Sequence, residues 1–202
     1  MAIIIKTGTK DKNVVQITQK LLTHNSYKKE GFRFLHTISI DELKQYEGIG
    51  KIKAIQLKAL SEIIKRASSP TLEYNLKIKS PRDIAEHVMS TLRYETKEEI
   101  QVALIDIKGN LKNIISVQQG GVNGINVESK DIFKEAIKQD IPRIILIHNH
   151  PSGDPTPSIE DINFTKSMQK IGNELNIDVM DHIIIGDGIY KSVVAYMTEI
   201  NI

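Results

Sequence analysis

RIILIHNHPSGDPTPSIED, residues 143–161, runs from an apolar segment through two histidines and a loop of prolines and glycine to an acidic helix start. Ile144 to Ile147, led by Arg143, form a short unbroken apolar run, which predicts a buried strand delivering His148 to the edge of a sheet. In extended chain residues two apart point the same way, so His148 and His150 can face one ion. Pro151 cannot donate to a strand ladder, and Gly153, Pro155 and Pro157 punctuate the chain, so the strand ends there and a loop follows. Ser158 predicts the N-cap of a helix to about Ile171, with Phe164, Met168 and Ile171 as its apolar face and Gly172 as its stop. Asp161 arrives in its first turn. Two imidazoles and one carboxylate, with no fourth protein ligand evident, describe a zinc site with a position open for water. Ser158 and Asp161 also make an ordinary helix start, in which an acid in the first turn is favoured by the helix dipole.

Elements outward from this stretch alternate in type. Ser80, Pro81 and Asp83 predict a helix start, and Ile84, Val88 and Leu92 supply its buried stripe. Ile100 to Ile105 reads as a strand, which Lys108, Gly109 and Asn110 turn back on Leu111 to Val117 as an antiparallel hairpin. A helix around Lys130 to Lys138 precedes the His148 strand. After the Ser158 helix come a strand from Val179 to Ile185 and a last hairpin at Gly186, Asp187 and Gly188 leading to a strand over Tyr190 to Tyr196. Strands joined partly by hairpins and partly by helices predict a mixed-sheet α-β-α sandwich and not a doubly wound sheet.

The histidine segment resembles the JAMM/MPN metalloprotease motif, H-x-H-P, a spacer, then S-x-x-D, and its wording is similar to the RadC-like branch. The likeness continues at Glu98 to Asp106, Asp131 to Ala136 and Asp181 to Gly186, and spans about Ser80 to Ile202. This resemblance implies an MPN/JAB, cytidine-deaminase-like sandwich with Zn²⁺ on His148, His150 and Asp161, water as nucleophile, and a peptide or isopeptide bond as the target. It also implies Glu98 as acid/base, by its distance from Asp106, and Ser158 as a helper at the developing oxyanion. From the residues alone, Glu98 and its neighbour Glu99 read equally well as solvated charges flanking a strand, and Ser158 as a cap. His182, ahead of Ile183 to Ile185, reads as a hydrogen-bonded core histidine or as a group supporting the site. Where RadC-like proteins commonly carry His-Pro-Arg-Glu, this chain has Glu128, Ser129, Lys130 and Asp131, a change that bears on substrate choice.

The chain has 202 residues and no cysteine, which excludes disulfides and thiolate zinc ligands, including those that zinc nucleobase deaminases need. No apolar run approaches a membrane span, and Ala2 to Ile5 is too short for a signal core, so a soluble cytoplasmic protein is expected. Net charge is +2, yet residues 1–70 carry thirteen Lys and Arg against six Asp and Glu, a net of +7, and residues 71–202 a net of −5. That asymmetry predicts two modules: a helical domain over 1–70, a linker over 71–79 and the metal-site domain over 80–202. Ala67 to Thr71 mark the break, since Pro70 blocks helix continuation.

The basic module reads as all helical, with Val14, Val15, Ile17, Leu21 and Leu22 at helical spacing and Ser39 with Glu42 as a capping box. Gly48, Ile49, Gly50 and Lys51 form a tight turn into a helix with Ile52, Ile55, Ala59 and Ile63 as its predicted apolar face. The turn resembles the helix-hairpin-helix motif, which implies phosphate contact by Gly48, Gly50, Lys51 and Lys53 and sequence-independent, salt-sensitive DNA binding. Two glycines between helices can equally serve as a plain connection. Relative to RadC-like proteins the start of the chain is short, and Met1 to Gly8 resembles the end of a longer helical lead-in. The resulting expectation is a zinc metallohydrolase acting on a peptide or protein, with DNA a possible partner of the first module. The alternative is a DNA-binding repair or recombination accessory with a structural or vestigial metal domain.

Overall fold

The computed structural model describes residues 2–8, 11–23, 34–68, 76–119 and 127–201, and the chain divides into two compact units, Met1–Ser68 and Ser69–Ile202. Among the described residues no helix is long and apolar enough to cross a membrane.

The first unit is helical: α1 (Ala2–Ile5), α2 (Val14–Leu22), α3 (Phe34–Thr37), α4 (Ile40–Lys44) and α5 (Lys51–Ser68). Ser39 caps α4, with its hydroxyl accepting from Glu42 N and Glu42 accepting from Ser39 N. The core gathers Ile17, Leu21, Phe34, Leu35, Leu43, Ile49, Ala54 and Leu57. The predicted face of α5 is therefore corrected. Ile52, Ile55 and Ile63 are 74%, 45% and 61% exposed and Ala59 is exposed, whereas Ala54, Leu57 and Ser61 face inward. Both rows recur at helical spacing, and Lys58 decides between them. Its ammonium donates to the carbonyls of Leu35, His36 and Ile38 at 3.0 Å, which turns its own side of α5 toward α3.

The second unit is a three-layer sandwich. Its elements are α6 (Pro81–Leu92), β1 (Glu99–Ile105), β2 (Leu111–Gln119), α7 (Ser129–Lys138), β3 (Arg143–Asn149), α8 (Ile159–Leu175), β4 (Asp178–Ile185), β5 (Tyr190–Ser192) and α9 (Val193–Glu199). The sheet order is β2-β1-β3-β4-β5, with β3 and β4 parallel and the other neighbours antiparallel. Alternation sorts the side chains. Ala103, Ile105, Ile145, Ile147, Ile183 and Ile185 pack against α6, while Ile100, Val102, Leu104, Ile144 and Leu146 pack against α7 and α8. His148 continues the second set, and therefore emerges on the α8 side at the carboxyl end of the central strand.

Three local expectations differ from the structure. Tyr190 to Tyr196 is not one strand, because Ser192 accepts a bond from Ala195 N and starts α9 after three strand residues. Gly172 does not stop α8, which runs on to a left-handed Asn176 (φ 56°). Gly172 instead admits a close approach: a Cβ there would lie 2.4 Å from Ile177 O and 2.9 Å from Val179 Cγ2. Finally, Leu76 to Lys79 lie with the second unit. Ile78 is buried in its core, and Leu76 O accepts from Leu111 N.

Candidate metal centre

The site forms where β3, the loop after it and the start of α8 meet. His148 is buried at the end of β3, opposite Ile100 in the β1–β3 ladder, and His150 follows at the first loop position. The loop is anchored by His150 N donating to Ile185 O and by Gly153 N donating to His150 O, each at 2.9 Å. Ser158 caps α8 and holds the carboxylate of Asp161, donating to Oδ2 from its amide at 2.7 Å and from its hydroxyl at 2.6 Å. In this arrangement the Ser158 hydroxyl is committed to Asp161.

His148 Nε2 stands 3.4 Å from Asp161 Oδ1, and His150 Nε2 stands 3.5 Å from Asp161 Oδ2. The three donors lie within 4.8 Å of one another. Ligands about 2.0–2.1 Å from a tetrahedral ion sit roughly 3.3–3.4 Å apart, so the pairs already have nearly the spacing such an ion requires. His150 Nδ1 lies 2.8 Å from Asp154 O. A carbonyl can only accept, so in the neutral ring that nitrogen carries the proton and Nε2 is bare, and only the imidazolium can donate to Asp161. This His-His-Asp group fits a divalent metal.

Burial pushes His148 down to about 4, with His150 acting in the same direction and Asp161 opposing. His150 is raised, chiefly by its bond to Asp161, against the effect of burial. Burial also works against charge on Asp161, but the contacts from His150, His148 and Ser158 outweigh it and hold the carboxyl below the usual carboxylate range. His182, fully buried beside His148, is lowered by that burial. From pH 6.5 down to about 4 the unfolded chain binds a proton at residue 148 that the folded protein refuses, so stability falls as pH falls through that window. The contribution is on the order of 3 kcal/mol at most. His182 adds in the same direction; His150, with a raised value, contributes the opposite way and offsets part of it. Urea midpoints of chelator-treated protein should drop between pH 7 and 4.5, and a flat profile would contradict this.

Glu98 and Glu99 part company here. Glu98 lines the same cleft of about 690 Å³ as Ile100, His148 and Asp161, whereas Glu99 is 7% exposed and accepts from Gln101 Nε2 at 2.9 Å. Asn149, between the two histidines, is a residue that the sequence motif does not mark. Its side chain turns away from them, accepts from Glu99 N at 2.9 Å and donates to Lys97 O at 3.1 Å, fixing the segment that carries Glu98. Its partners lie 50 and 52 residues away, so no local sequence pattern marks this role. Asn149→Ala leaves Glu99 N without this acceptor, and should cost about 1–3 kcal/mol while sparing metal content. Thermal unfolding and metal analysis of the same sample check it. Val127 also lines the cleft, and beside it Lys130 pairs with Glu128 at 2.6 Å, so the departure at residues 128–131 begins next to the cleft.

The amino-terminal candidates separate too. Gly48 has φ 84°, a turn conformation that suits glycine, and Ile49 is buried in the core. Gly50 has open space where a Cβ would stand, and Lys51 is exposed. Lys53 donates to Thr7 O at 2.7 Å and Gly48 O at 2.9 Å, so its ammonium ties the turn to the chain start.

The fold and the site together define a JAB-type α/β domain with a His-His-Asp group able to hold a metal. Residues 78–198 match the RadC-like JAB domain and residues 1–55 match the UPF0758 N-terminal family. The chain belongs to the RadC-like JAB domain family. It is 43% identical to a UPF0758 protein of Alkaliphilus oremlandii and 42% to one of Alkaliphilus metalliredigens, each over 95% of this chain and 82% of the relative. A UPF0758 protein of Caldanaerobacter subterraneus is 40% identical over 93% of this chain and 79% of its own length.

Proposed function

We propose that this protein is a zinc-dependent hydrolase that cleaves a peptide or isopeptide bond. The observation that carries the reading is the convergence of His148, His150 and Asp161 on a cleft that also holds the Glu98 carboxylate. Two imidazoles and one carboxylate, without thiolates, favour zinc with a coordination position left for a ligand from solution. Zinc on these residues would lower the pKa of water toward neutrality and polarise an amide carbonyl. Glu98 takes the proton of the attacking water and returns it to the leaving amine. Ile100, Val127 and Phe164 give the cleft an apolar wall for a side chain flanking the scissile bond. Ser158 can assist at the oxyanion only after its hydroxyl turns from Asp161, and until then it orients that carboxylate.

The test is mass spectrometry of a diverse peptide pool and of lysine-branched isopeptides after incubation with zinc-loaded and chelator-treated protein. New termini that need both zinc and Glu98 support the reading. Their absence from every substrate, with zinc bound, counts against hydrolysis.

A second reading concerns the first unit, whose charge of +7 over residues 1–70 and open Gly50–Lys51 approach to α5 suit weak phosphate contact with DNA. Lys51→Ala in the full chain should lower the slope of log affinity against log salt by about one. Lys53→Ala should act through stability, since its ammonium is engaged within the unit. An unchanged salt slope for Lys51→Ala would leave the turn as a structural connection.

A further inference from the structure

We propose that His182 and Thr165 form a one-way hydrogen-bond relay that sets the tautomer of His148 and so keeps its Nε2 lone pair free for a metal. The proposal rests on the metal-site reading above. Thr165 Oγ lies 2.7 Å from two partners, the backbone carbonyl of Asp161 and His182 Nδ1. The carbonyl has no proton to give, so the single hydroxyl proton goes there. Thr165 then accepts from His182, and the proton of that neutral ring sits on Nδ1. His182 Nε2 is therefore an acceptor, and its partner at 2.7 Å is His148 Nδ1, which must donate. One proton per neutral ring leaves His148 Nε2 bare, 3.4 Å from the Asp161 carboxylate.

The fold places these groups deliberately close. Thr165 is one turn along α8 from Asp161, so a single helix face presents both the carboxylate and the hydroxyl that starts the relay. On β4 the ladder with β3 skips Met180: Ile144 pairs with Val179 and Ile145 with Asp181. Without that bulge the odd residues 181 and 183 would face α8. With it, His182 does. His182 and Thr165 are 1% and 0% exposed, so water does not compete for the three bonds. Asp161 thus stands at both ends, its carbonyl fixing the direction and its carboxylate meeting the nitrogen the relay exposes. His182 and Thr165 are positioning residues that need touch neither metal nor substrate.

Two measurements test this. In metal-free full-length protein, ¹⁵N–¹H correlation of the imidazoles should show His148 and His182 protonated at Nδ1, with both Nε2 atoms unprotonated. A His148 ring protonated at Nε2 would overturn the relay. Separately, Thr165→Val keeps the side-chain shape but removes the hydroxyl, and should weaken zinc binding about 10–100-fold in chelator competition, with Thr165→Ser restoring most of it. A purely structural threonine predicts a lower unfolding temperature with unchanged zinc affinity, and that result would also overturn the proposal. Wild-type protein that binds no zinc would refute the metal-site reading instead, while the imidazole spectrum would still decide the relay.

Discussion

If the proposed zinc hydrolase reading holds, Glu98→Gln should keep zinc and lose amide hydrolysis by about 10²–10⁴-fold, the usual worth of a positioned acid/base group. Glutamine has nearly the same shape and cannot accept the water's proton. Glu98 shares the cleft with Ile100 and the metal donors, on a segment that Asn149 fastens through Glu99 N and Lys97 O. Glu99→Gln behaves differently, because its buried carboxylate accepts from Gln101 on the other side of the strand. Its expected cost falls on stability. Turnover per zinc-loaded chain, measured for both variants, separates the two. Equal losses, or loss in Glu99→Gln alone, would move the acid/base assignment off Glu98.

The convergence of His148, His150 and Asp161 was legible because its signal is local. An apolar run, two histidines two apart, a Pro–Gly loop and a capping serine each follow from rules that act over a few residues, and together they bring His148, His150 and Asp161 to one point. The sandwich was legible for a similar reason, since hairpin turns and helix starts flagged a mixed sheet. Asn149 and Thr165 carried no such mark. Their partners lie 50 and 17 residues away, at Glu99 and His182, and only the closed sheet brings them together.

Where the reading failed, tertiary contacts chose between local alternatives. Gly172 could have ended α8, but the approach of Ile177 and Val179 uses its missing side chain inside the helix. The α5 stripe of Ile52, Ile55 and Ile63 matched a helical period as well as Ala54 and Leu57 did, and the carbonyls gathered by Lys58 fixed which row turned inward. The skipped residue Met180 has no sequence signature, yet it decides which face His182 occupies. The 71–75 part of the expected linker lies outside the described residues.

Removing one metal donor should have the other large effect. With three protein ligands, loss of His148 or Asp161 leaves two, and the group can no longer hold an ion in a fixed geometry. The affinity lost should exceed the roughly 10–100-fold that removal of a supporting partner costs. Asp161→Ala also removes the carboxylate that accepts from Ser158, so part of its cost appears in the stability of α8, about 1 kcal/mol for a lost cap. His148→Ala leaves that cap intact and isolates the ligand effect. The direct measurement is metal content after equilibration with buffered zinc at neutral pH, on folded wild type, His148→Ala and Asp161→Ala. About one zinc per wild-type chain and almost none in either variant is the expected result. Wild type without zinc, or variants that keep its full content, would contradict it.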